Sequence, residues 1–164
     1  MGVVETLEAI ARARGYVELE AEEHSRRLFS HEGALVLFVI EDKLTLSVAK
    51  ACATYDVARF IVALGVAPTS AARATLVDLV GKPVEFFTFA ELSFDIMTHE
   101  LVPKFEIMSA DEVSALLAQY RIKHAQLPRM HTTDPCARYL GLTRGQVVRV
   151  LRSGSESAAY RMVC

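Results

Sequence analysis

Apolar residues recur at Val4, Leu7, Ile10 and Ala11. That spacing puts them on one helical face, and with Gly15 as a stop it predicts an amphipathic helix over residues 3–14. A second, more polar helix is expected from Ala21 to Phe29. The run Ala34 to Ile40 (ALVLFVI) is β-branched and aromatic, ends at the charged turn Glu41-Asp42-Lys43, and reads as a buried strand. Arg59 to Leu64 reads as another strand, with helical composition between them over Thr45 to Ala53. After the break Gly65-Val66-Ala67-Pro68, a helix capped by Ser70 runs to Leu79, and Val84 to Phe89 closes the series as a Phe-rich strand. Strand, helix, strand, helix, strand makes this half an α/β unit.

The second half is punctuated by caps. Ser109-Ala110-Asp111-Glu112 has the spacing of a capping box, in which hydroxyl and carboxylate each accept from a free backbone N–H of the other's residue. The helix it opens carries Val113, Leu116, Leu117 and Tyr120 on one face. Asp134 caps a short helix whose first residue, Pro135, sits where the missing N–H costs nothing, and Gly141 ends it. Thr143-Arg144-Gly145 turns the chain into a strand from Gln146 to Arg152, for which Tyr160 to Val163 is the natural partner. No internal repeat or low-complexity segment interrupts this order.

Composition adds that 52% of the 164 residues are apolar, enough to bury a core. The longest apolar run is far shorter than the ~20 residues of a membrane span. Glu5 and Glu8 stand where a signal peptide would be basic, so a soluble, intracellular protein is expected. Cys52, Cys136 and Cys164 form no C-x-x-C pair and are expected to be reduced thiols. The net charge of −2 conceals a division. Residues 1–97 hold nine Lys/Arg against fourteen Asp/Glu, and residues 98–164 hold nine against six. From Arg121 onward there are eight basic residues, with Asp134 and Glu156 the only acids. Such a segment suits nucleic acid, an acidic protein surface or simple solvation, and charge alone leaves the three open.

Catalytic patterns are absent: there is no G-x-x-x-x-G-K-[ST], G-x-G-x-x-G or G-x-S-x-G. His99-Glu100 resembles the start of a zincin helix, but Pro103 stands where the second His is needed. His24, His31, His99, His124 and His131 have no ligand-like spacing. Glu41-Asp42-Lys43 after a strand mimics the acidic pair and lysine of a metal-dependent nuclease, and equally an ordinary charged turn. No catalytic residue, metal ligand or cofactor-binding residue is assigned, and the chain is expected not to be an enzyme.

Several runs in the second half carry a resemblance. His99-Glu100-Leu101-Val102-Pro103-Lys104, Gln126-Leu127-Pro128-Arg129, Asp134 to Tyr139 (D-P-x-A-R-Y), Gly141 to Val148, the pair Arg152-Ser153 and Tyr160-Arg161 follow one another in order. Together they resemble the assembly domain that a small subunit of archaeal RNA polymerases shares with the fifth subunit common to eukaryotic nuclear RNA polymerases. The first half resembles the eukaryotic jaw domain in shortened form, through Arg14-Gly15-Tyr16 and Val66 to Ala72 (VAPTSAA), where the order of Thr and Ser departs from the family loop. A short jaw joined to a eukaryote-like assembly domain suggests a divergent source, such as a large DNA virus or a reduced eukaryote.

The resemblance implies an α/β jaw domain over 1–97, nuclease-like with a mixed sheet and helices, and a small α+β assembly domain over 98–164. It implies a non-catalytic subunit of a DNA-directed RNA polymerase, one copy in a hetero-oligomer, acting in the nucleus if cellular and in host cytoplasm or virion if viral. The partner is then the largest polymerase subunit, with Arg129, Asp134, Arg138, Tyr139, Arg144 and Arg152 as docking candidates. Downstream duplex would be touched weakly, within the complex, by Arg73 first and then Arg12, Arg14 and Lys82, because the acidic half lacks the phosphate-neutralising charge of a tight binder. No cofactor and no membrane are implied. The alternative is a stand-alone nucleic-acid-binding or nuclease-like module.

Overall fold

The computed structural model describes residues 2–23, 26–152 and 158–164. His24, Ser153 of the Arg152-Ser153 pair and Glu156 lie outside the described residues. The chain divides into two compact units, Met1–Phe94 and Asp95–Cys164, and the whole is mixed α/β with one sheet in each unit. Among the described residues no helix is long and apolar enough to cross a membrane.

In the first unit α1 (Val3–Ala13) buries Leu7, Ile10 and Ala11, and Gly15 takes the positive φ (72°) that releases the chain from the helix. The helix expected from Ala21 to Phe29 is not formed. Its described residues fall in two strands, β1 (Val17–Glu23) and β2 (Arg26–His31). The physical reason lies downstream: Glu32 and Gly33 both adopt positive φ (51° and 82°), the two-residue turn whose twist suits a hairpin. It folds β2 onto β3 (Ala34–Glu41), pairing Phe29 with Val36 and Leu28 with Leu37. Cross-strand packing then overrides the helical preference of a Glu- and Ala-rich stretch. From β3 the chain makes two parallel crossovers, through α2 (Leu46–Cys52) to β4 (Arg59–Leu64) and through α3 (Ser70–Val80) to β5 (Val84–Thr88). The sheet order is β1-β2-β3-β4-β5. Thr69, not Ser70, caps α3, its hydroxyl accepting from the Ala72 N–H.

Strand β4 is the centre of this core. Phe60 to Leu64 are all buried, as expected of a parallel strand covered on both faces. Phe60, Val62 and Leu64 pack with Leu37, Val39, Ala49, Cys52 and Leu76 on the face covered by α2 and α3. On the opposite face α1 is tied to the sheet by ion pairs, Arg14 to Glu85 and Arg27 to Glu8, and by the ring of Tyr16 against Phe38.

The second unit wraps helices around both faces of a four-stranded sheet ordered β6-β8-β9-β7. Its strands are β6 (Lys104–Ile107), β7 (Arg129–Met130), β8 (Val147–Leu151) and β9 (Ala159–Val163). The β8–β9 pairing is antiparallel, with Arg149 opposite Tyr160. Helix α4 (Ala110–Tyr120) contributes Leu116 to a cluster with Met108, Leu127 and Val147. The opposite face, with Val148, Val150 and Val163, packs with Ala137 of α5 (Pro135–Leu140).

The capping box forms as the sequence predicts. Glu112 accepts from the Ser109 N–H at 2.8 Å, and the Ser109 hydroxyl accepts from the Glu112 N–H at 3.3 Å. The backbone hydrogen bond holds the Glu112 carboxyl below its ordinary pKa, with smaller help from the Ser109 hydroxyl and the positive charge of Arg149. A depressed folded-state pKa means that charged Glu112 stabilises the unit above the ordinary carboxylate range, a contribution lost as pH falls through the folded value. Melting temperatures of the native chain and Glu112→Gln should therefore differ by a constant amount above the ordinary carboxylate range and converge as the pH falls below it. Parallel curves across that range would contradict the assignment.

Candidate docking surface

Helix α5 is six residues long because Asp134 and Pro135 start it and Gly141, at φ 65°, stops it. The Asp134 carboxylate accepts from the Cys136 N–H at 2.9 Å. A helix of about one and a half turns leaves part of the sheet face beside it uncovered. There the second unit holds a groove of ≈ 450 Å³. Phe105, Met130 and Val150 form its apolar wall, Arg152 and Arg161 bring cationic side chains to it, and Arg129 lines its edge.

The groove brings together residues that the sequence separates. Pro103, Arg129, Asp134, Arg152 and Arg161 all line it, and each comes from a different family-like run. Of the docking candidates, Arg129, Asp134 and Arg152 meet there. Arg144 is exposed in the turn before β8, and Arg138 is half-buried on α5. Tyr139 is only 5% exposed. Its burial in α5 withholds it from direct contact with a partner.

Arg161 was missed as a docking candidate, although its signal was legible. Alternation along β9 puts Ala159, Arg161 and Val163 on one side of the strand, the side that faces α5. Its guanidinium donates to the Arg129 carbonyl at 3.4 Å. Arg149 points to the other side, where Glu106 and Glu112 each lie 3.6 Å away and offset its charge. Cys136 also lines the groove, and burial raises its thiol pKa, with Asp134 adding to the effect. It is a protonated wall residue, not a nucleophile.

The four DNA candidates of the first unit do not share one environment. Arg73 is exposed on α3 with its guanidinium 5.2 Å from the centre of the Phe86 ring. Arg12 is exposed in the last turn of α1. Lys82 is exposed, with Asp56 at 3.6 Å, a contact too solvated to hold its charge back. Arg14 is a correction. Its side chain is 3% exposed and forms a two-pronged pair with Glu85, at 3.1 and 2.8 Å. A buried, neutralised guanidinium offers a phosphate nothing.

Among the described residues, no group of three or more His, Cys, Asp or Glu side chains is arranged to hold a metal ion. Glu41 and Asp42 use their carbonyls to accept the Gly65 and Val66 N–H groups, so the turn resembling a nuclease triad is held as a β3–α2 connection.

Comparison with known proteins supplies the context. Residues 94–163 match the family described as RNA polymerase Rpb5, C-terminal domain. The chain is 41% identical over 106 residues to DNA-directed RNA polymerases I, II, and III subunit RPABC1 of Caenorhabditis briggsae and of Caenorhabditis elegans, covering 64% of this chain and 50% of each relative. The Dictyostelium discoideum subunit of the same name is 44% identical over 77 residues, 47% of this chain and 39% of that protein. The 106 matched residues exceed the length of the second unit, so the likeness reaches into the first. The chain spans about half the length of the relatives it matches.

Proposed function

From the match of residues 94–163 to the family described as RNA polymerase Rpb5, C-terminal domain, we propose that the chain is a non-catalytic subunit of a DNA-directed RNA polymerase. The second unit anchors it to the largest polymerase subunit, and the first helps to form the jaw around downstream duplex. The family match carries this reading. It is supported by the relatives, which are named as subunits of DNA-directed RNA polymerases I, II, and III, and by a groove that gathers Pro103, Arg129, Asp134, Arg152 and Arg161 on one face. The nuclear setting of such polymerases is the proposed location.

Contact with DNA is local. Arg73, Arg12 and Lys82 are accessible, but fourteen acidic residues against nine basic ones over 1–97 oppose tight phosphate binding. The isolated chain is therefore expected to give no gel shift with duplex at physiological salt.

Affinity purification of the tagged chain from its source cells, followed by mass spectrometry, tests the proposal. The expected result is co-purification of the two largest polymerase subunits through high-salt washing. Their absence from a well-folded preparation would count decisively against it. Salt-sensitive duplex binding by the chain alone would instead favour a stand-alone nucleic-acid module.

A further inference from the structure

The groove beside α5 combines two recognition chemistries that seldom coincide by accident. Its wall is apolar through Phe105, Met130 and Val150, while Arg129, Arg152 and Arg161 reach it from three different strands or strand ends. Asp134 is the sole carboxylate among the described lining residues, and Arg152 and Arg161 outnumber it. A guanidinium fork matches a carboxylate through two parallel N–H···O bonds, and a mixed apolar and cationic lining suits a polypeptide that alternates acidic and apolar side chains. A nucleic acid strand would call for a platform of exposed aromatic faces on which bases stack, and the described lining offers only the ring of Phe105, half-buried in the wall, and the imidazole of His131.

We propose that this groove is the seat of an extended acidic segment of a polymerase polypeptide, with Arg152 and Arg161 as its principal charge partners. The assignment rests on the function proposed above and goes further, since it names the surface and the chemistry of what occupies it. It also gives a role to Arg161, which docking candidates chosen from sequence left out.

The test uses the full chain in its source cells, with photoreactive p-benzoylphenylalanine at position 133 in place of Thr133, an exposed lining residue. After irradiation and purification, the crosslinked peptide is sequenced. The expected product is one polymerase polypeptide joined through a stretch rich in Asp and Glu. Crosslinks to a basic stretch, to nucleic acid or to no polypeptide, while polymerase still co-purifies, would overturn this assignment and leave the proposed function standing. Failure to recover polymerase at all would remove both. In a second arm, Arg152→Glu with Arg161→Glu should reduce polymerase recovery by about tenfold or more at unchanged melting temperature. Lys123→Glu, exposed and outside the groove, should leave recovery intact, and equal recovery from both would also overturn the assignment.

Discussion

Phe60→Ala is expected to destabilise the first unit by about 3–5 kcal/mol, enough to shift its melting by on the order of 15 °C or to unfold it outright. Phe60 is fully buried on the central strand, beside Leu37 in the parallel register and within the cluster that seats Ala49, Cys52 and Leu76. Truncation removes the ring's transfer free energy and leaves a cavity that α2 and α3, connected to the sheet at both ends, can close only in part. Calorimetry should show the loss in one transition, because the second unit has its own clusters around Val148 and Val147. The variant should still recover polymerase from cells, since anchoring is assigned to the second unit. Lost recovery with the second transition unmoved would show that the first unit is needed for anchoring.

Glu85→Ala should have the next largest effect, about 2–4 kcal/mol, read by urea or thermal unfolding. Glu85 is the hub of two pairs, with Arg14 at 2.8 Å and Arg59 at 3.0 Å. The Arg14 side chain is 3% exposed, so removing the carboxylate takes a paired counter-charge from a desolvated positive charge. Replacing both members together, Arg14→Met with Glu85→Leu, should restore much of the loss, because no ion is then buried. If Glu85→Ala proves as stable as the native chain, the pair is not desolvated as the structure has it. This pair also explains why Arg14 fails as a DNA contact: its position after the first helix was legible, but its burial against Glu85 of β5 was not.

The same division between local and long-range information runs through the molecule. Caps were legible because they are settled within four residues: Ser109 with Glu112, Asp134 with Cys136, Gly141 in its left-handed conformation. The β3–α2–β4–α3–β5 series was legible because a strand buried on both faces must be continuously apolar, as β4 is. The strands β1 and β2 were not. Residues 17–31 are rich in Glu and Arg, and their pairing depends on a turn at Glu32-Gly33 and a partner strand that lie beyond them.

By itself the sequence determined the caps of the second half, the central strands, the likeness to a polymerase subunit domain and the opposite charges of the two halves, since each is written in neighbouring residues or in ordered motifs. Only the tertiary structure decided which charges remain available. Arg14 was withdrawn into a buried pair with Glu85, Arg149 was offset by Glu106 and Glu112, and Arg129, Arg152 and Arg161 were gathered along one groove. Strand pairing sets which residues become neighbours and which faces are covered, and neither can be read from spacing along the chain.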